Sequence, residues 1–182
     1  LYLAREGEAT RFIARLDGDG TITDSDATNW APHGAAGRGL SKTARVSADG
    51  STILFRSQRQ LTAYENEGTP MLYRWQVGDS APSCVSCNPT GAPPVGAPSL
   101  GNIGMVALTP ASPSLVLSRN LSADGSRVFF ETPDPLVGAD TNGGGGCPTA
   151  GPGGEGGGVF TYPRCQDVYE WEAQGTGSCT ED

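Results

Sequence analysis

Apolar residues fall in short alternating or continuous runs, never at sustained helical spacing, and polar turn residues punctuate them. Ile53–Leu54–Phe55, Met71–Leu72–Tyr73–Arg74–Trp75, Val128–Phe129–Phe130 and Val168–Tyr169–Glu170–Trp171 are built from aliphatic, β-branched and aromatic side chains, and Gly, Pro, Asp and Asn separate them. Such runs fit pleated, half-buried or buried strands, and the separators fit tight turns. The pattern predicts strands at 1–5, 10–16, 43–47, 52–57, 70–76, 82–86, 116–121, 127–131 and 167–172. The expected class is all-β.

The pattern also repeats. Arg45–Val46–Ser47–Ala48–Asp49–Gly50–Ser51 returns as Asn120–Leu121–Ser122–Ala123–Asp124–Gly125–Ser126, 75 residues later. In each copy an Asp-Gly turn feeds an apolar strand, a strong hairpin signal because such turns need the positive φ that glycine tolerates. The aromatic strands that follow place Trp75 and Trp171 96 positions apart, so the second copy carries 21 extra residues. These map to a glycine-rich insertion at 143–166, which reads as a surface loop because glycine loses much entropy on ordering and packs nothing. A phosphate cradle would need a strand-to-helix setting and usually a lysine, and the insertion has neither.

Leu1–Tyr2–Leu3–Ala4–Arg5 resembles the two aromatic strands and opens a third, partial copy. The organisation expected is the end of one unit at 1–26, a complete unit at 43–87, a linker at 88–115, and a unit with its insertion at 116–182. Four antiparallel strands recurring along a chain is the logic of a β-propeller blade, so a partial propeller of about two and a fraction blades is expected. A β-sandwich and a short β-solenoid are the alternatives. Because the chain opens and closes on strands, it is expected to be an internal piece of a longer protein whose remaining blades would be its neighbours.

Charge narrows the partners. There are 12 basic and 20 acidic side chains, a formal charge of −8, and a single lysine, Lys42. Nucleic-acid binding needs clustered Lys and Arg, so none is expected. No apolar stretch has the length of a membrane span.

Five cysteines, Cys84, Cys87, Cys147, Cys165 and Cys179, can be weighed as metal ligands, redox thiols or staples. Zinc wants a second close pair, and a thioredoxin-like pair wants a strand–helix context. Disulfides are the reading that fits, in an oxidising compartment. Cys147–Cys165 would close the insertion, Cys84–Cys87 would form a local clip, and Cys179 would be left over.

Candidate chemistry is sparse. His33 is the only histidine and no Gly-x-Ser-x-Gly elbow exists, so a serine triad lacks its parts. Glu65, Glu67, Asp134 and Asp140 offer carboxylates, but no spacing singles out a glycosidase pair. Asp140 and Asn142, followed by Gly143, with Asp167 at the start of the next strand, present oxygen ligands of the kind calcium loops use. Ca²⁺ is therefore the candidate cofactor. Trp30, in a loop, is the candidate ligand contact, whereas Trp75 and Trp171 sit at core-packing positions.

At the Ser47–Ala48–Asp49–Gly50 and Ser122–Ala123–Asp124–Gly125 turns, with Ile53–Leu54–Phe55, Val128–Phe129–Phe130 and the Tyr73 and Tyr169 strands, the chain resembles the TolB-like, or WD-like, β-propeller repeats of bacterial envelope and secreted proteins. It departs in carrying Ala where that motif has Pro. The resemblance covers about 43–76 and 116–172, with a weaker tail at 1–16. It implies protein or glycan partners and a secreted, periplasmic or envelope location, and the leading expectation for function is a non-catalytic module that binds or scaffolds through its loops. A propeller gating a serine peptidase encoded elsewhere in the protein, and a surface spacer, are the other functions to be weighed.

Overall fold

The computed structural model describes residues 1–17, 26–29, 43–100, 119–141 and 166–173. Its regular structure is a set of short antiparallel strands with one 3-10 turn, Asp26–Asn29. The protein is all-β in these residues. The strands are β1 (Tyr2–Leu3), β2 (Arg11–Phe12), β3 (Arg45–Val46), β4 (Thr52–Ser57), β5 (Met71–Gln76), β6 (Ser83–Cys84), β7 (Arg127–Thr132) and β8 (Asp167–Glu172).

They form three sheets: the β1–β2 pair, a four-stranded sheet in the order β3-β4-β5-β6, and the β7–β8 pair. The repeat is visible in the register. Phe55 pairs with Tyr73 in β4–β5, and Phe130 pairs with Tyr169 in β7–β8. Both aromatic pairs are stacked with ring centroids 6.0 Å apart.

Both turns that open the long hairpins have the same internal wiring. Ser47 Oγ donates to Asp49 at 2.6 Å and accepts from the Thr52 N–H at 2.9 Å. Ser122 Oγ does the same with Asp124 and Arg127, at 2.6 and 2.9 Å. The glycines at the turn ends, Gly50 and Gly125, have φ of 69° and 72°, where a side chain is disfavoured.

The four-stranded sheet is covered on both faces. Along β5, alternate side chains point opposite ways. Met71, Tyr73 and Trp75 join Phe55 in one cluster with Ile13 and Ala14, against which Leu1 and Leu3 pack. Leu72 joins Leu54 and Val85 in another, with Val128, Phe130 and Leu100. Five of the six β5 residues are therefore buried, whereas β8 alternates and leaves Val168 exposed.

Several strands are shorter than the sequence pattern predicts. β2 stops at Phe12 because the amides of Ile13 and Ala14 both reach the Leu1 carbonyl, at 3.0 and 3.4 Å, so the ladder cannot continue in register. The strand expected at 116–121 is represented among the described residues by one bridge, Leu121 to Val128.

The stretch expected as a linker contributes to the sheet. Ser99 exchanges both backbone hydrogen bonds with Glu131, at 2.7 and 2.8 Å, and Leu100 is buried. In the preceding unit the corresponding strand position, Arg56, is satisfied by the Asn29 side chain. Asn29 Nδ2 donates to the Arg56 carbonyl at 2.6 Å, and its Oδ1 accepts from the Arg56 N–H at 2.8 Å. An amide side chain thus does in one unit what a backbone does in the other.

Candidate functional site

The strand register fixes which loops share an end. Ser57 faces Met71 and Thr132 faces Asp167, so the β4–β5 and β7–β8 connections leave the same end of the stacked sheets. The Asp-Gly turns leave the other. The connecting loops are where the two copies differ most, as the sequence expects.

In the first unit that loop closes on itself. Asn66, buried, donates to the carbonyls of Gln58 and Thr69 at 2.7 and 2.8 Å. Glu67 and Gly68 follow with positive φ, 49° and 74°, which turns the chain back into β5. Met71 then fills the space beneath, fully buried.

In the second unit Asp167 occupies the register position of Met71. A carboxylate cannot pack as a thioether does, and an open concavity of about 360 Å³ is found there instead, lined by Val137, Ala139, Asp140, Thr141, Asp167 and Tyr169. The Tyr169 hydroxyl donates to Asp140 Oδ2 in a short hydrogen bond and accepts from the Leu136 N–H at 3.3 Å. Burial first, and the bond to Asp140 second, push the Tyr169 phenol up to about 12. Asp167 Oδ2 is buried with no hydrogen-bond partner among the described residues.

Asp140 and Asp167, expected from the sequence as oxygen ligands, thus line one concavity. Asn142, the third, lies outside the described residues, as do Trp30, Cys147 and Cys165. Among the described residues no group of three or more His, Cys, Asp or Glu side chains is placed to hold a metal ion. Cys84 and Cys87 are joined, with Cα atoms 5.6 Å apart.

Two contributors were not singled out for this site by the sequence. Tyr169 reads as a core aromatic because Tyr73, its counterpart, is one; what sets it apart is the carboxylate two residues before it. Thr141 carries no signal of its own.

A second buried carboxylate stands near the same end. Asp134 Oδ1 accepts from the N–H groups of Val95 and Gly96, which ties the 95–96 segment to the β7 exit. Its Oδ2 is buried and has no partner among the described residues. Burial raises its pKa against the opposing effect of those two N–H donors. Asn88 Nδ2 adds a bond to the Pro135 carbonyl at 3.1 Å, and Tyr64 adds one to the Ala92 carbonyl at 2.7 Å. These bonds strap the segment to the first-unit loop and to the residues that follow β7.

The concavity combines two carboxylates, a phenol and a hydroxyl with the apolar surface of Val137 and Ala139. Such a lining accepts hydrogen bonds and complements donors or positive charge. No helix among the described residues is long and apolar enough to cross a membrane. Comparison with known proteins finds no matching family model, no similar characterised protein and no similar solved structure.

Proposed function

We propose that the chain is part of a β-propeller acting as a non-catalytic binding module outside the reducing cytosol, and that the partner is a protein or glycan rich in hydrogen-bond donors. The observation that carries the architectural part is the face-to-face packing of three sheets in repeat order, each unit covering the next. The Cys84–Cys87 bond supports the compartment, because such bonds persist in oxidising environments.

The binding part rests on where the copies diverge. The Ser-Ala-Asp-Gly turn and the aromatic hairpin recur in both units, while the loop end carries a closed turn in one unit and the Asp140–Asp167 concavity in the other. Function resides in such sites and not in the fold that presents them.

The test is a screen of immobilised glycans and peptides against the chain and its Asp140→Ala/Asp167→Ala variant. Binding that the double variant loses supports the reading, and the bound class decides between glycan and protein. Absence of binding by the unaltered chain, or binding that the double variant retains, overturns it.

A further inference from the structure

The two packed contacts between sheets follow one rule. On one side lies an aliphatic face bearing an arginine, and on the other an aromatic face bearing a tryptophan. The β1–β2 pair brings Leu1, Leu3 and Ile13 to Phe55, Tyr73 and Trp75, with the Arg11 guanidinium 5.3 Å above the Trp75 ring. The four-stranded sheet brings Leu54, Leu72 and Val85 to Phe130, Tyr169 and Trp171, with Arg74 5.6 Å above Trp171.

That rule leaves two faces without a counterpart among the described residues, one at each end of the stack. The outer face of β1–β2 shows the aromatic side: Tyr2 and Phe12 are cross-strand partners in edge-to-face contact at 5.4 Å, 65% and 58% exposed. Beside them is a cavity of about 520 Å³ lined by Leu1, Tyr2, Phe12, Ala14, Arg15 and Leu16, with Arg15 exposed. The outer face of β7–β8 stands in the place of the other side, with Phe129 and Glu170 where the four-stranded sheet has Leu54 and Arg74. Phe129 and Val168, 38% and 72% exposed, take the register positions of Leu54 and Leu72.

Charge distinguishes the ends as well. Where β5 carries Arg74, β8 carries Glu170, and the β7–β8 outer face holds Arg127 against Glu131, Glu170 and Glu172. That face therefore has a negative excess, while the Tyr2–Phe12 face has Arg15 at its margin.

We infer that the chain docks head to tail on a second copy of itself, the Phe129–Val168 face of one copy covering the Tyr2–Phe12 face of the next, with Glu170 directed at Arg15. This extends across copies the contact already made twice within the chain. The second copy supplies the next blade of the proposed propeller, so the inference rests on that architecture and not on the binding at the loop end. A contact between unlike faces leaves one of each kind free, so the assembly grows as a row or closes as a ring.

Sedimentation of the full chain, 18.7 kDa, should show a mass that rises with concentration. Two blocked forms make the orientation testable, Tyr2→Lys/Phe12→Lys and Phe129→Lys/Val168→Lys. Each alone should remain monomeric, and an equimolar mixture should give a one-to-one dimer and nothing larger. As a milder pair that preserves the apolar faces, Glu170→Lys and Arg15→Glu should each weaken association by about tenfold, and the double charge swap should restore it. An unaltered chain that stays monomeric, a blocked form that still self-associates, or a mixture that fails to pair while circular dichroism shows both partners folded, overturns the inference. Because the readout is mass, its failure is separate from failure of the glycan and peptide screen.

Discussion

The backbone N–H of Ala48 donates to the carbonyl oxygen of Ala123 at 3.1 Å. These residues hold the same place in the two copies of the repeat, so successive turns touch through equivalent residues. Arg45 and Asn120, another corresponding pair, also meet, at 3.5 Å. The stacking of sheets is thus fastened at the turn end by backbone as well as by core side chains.

Equivalent glycines in those turns should respond differently to the same change. Gly50→Ala places a methyl in open space and incurs only the strain of a positive φ, about 1–2 kcal/mol. Gly125→Ala adds a collision with the buried Thr52 side chain of the neighbouring sheet, and overpacking of that kind costs about 1–3 kcal/mol more. Urea denaturation should give a clearly lower midpoint for Gly125→Ala than for Gly50→Ala. Equal midpoints would mean the sheets do not approach closely there.

Acid should loosen both turns together. Hydrogen bonds from Ser47 and Ser51 lower Asp49 from 3.8 to about 2, and those from Ser122 and Ser126 do the same to Asp124. A folded-state value below the unfolded one means the carboxylate contributes stability above about pH 4 and loses it as the pH falls toward 2. Melting temperature should therefore drop through that window. Asp49→Asn/Asp124→Asn should start lower and show a shallower acid slope, and an unchanged slope would sink the assignment.

Arg74 ties its own strand to the neighbouring sheet through polar and aromatic partners. Its Nε donates to the Gly125 carbonyl at 2.7 Å, its Nη2 to Gln76 at 2.6 Å, and its plane lies over Trp171. Arg74→Met keeps the apolar stem but strands the Gly125 carbonyl, with an expected loss of about 2–4 kcal/mol. Arg74→Lys should recover little, because a point charge cannot reproduce the fork. Thermal unfolding of the three proteins, followed by tryptophan emission, checks both statements.

Burial raises the phenols of Tyr64, Tyr73 and Tyr169, and Tyr169 carries the bond to Asp140 as well. Its phenol ionises near 12 in the fold against an ordinary value of 10. A raised folded-state value contributes stability below pH 10 that disappears as the pH rises toward 12. Tyr169→Phe should remove one late step from the phenolate absorbance titration and flatten the fall in melting temperature over that range. Full retention of the late absorbance change in Tyr169→Phe would assign it to Tyr64 or Tyr73, whose phenols burial also raises.

The long hairpins were legible because their periodicity and their Asp-Gly turns agree. β4 and β8 span the residues the pattern predicts, and β5 and β7 differ from it by one residue each. The repeat alone aligns Asp167 with Pro70 or Met71, and the strand register settles on Met71, with Asp167 in the wall of the candidate site. Other features left no pattern to read. Asn29 substitutes for a strand through its side-chain amide, which no periodicity reveals. Ser99 pairs from within a Pro- and Gly-rich stretch whose composition argues for a linker. Tyr169 is masked by its own repeat, since its counterpart Tyr73 is simply core and bonds the Arg59 carbonyl at 3.1 Å.

β5 is covered on both faces and hydrogen-bonded along both edges. Its amide protons should consequently be the slowest in the molecule to exchange with solvent. Opening would begin at β1–β2 and at β7–β8 and travel inward, so the protein comes apart from its ends and β5 is the last memory of its native state.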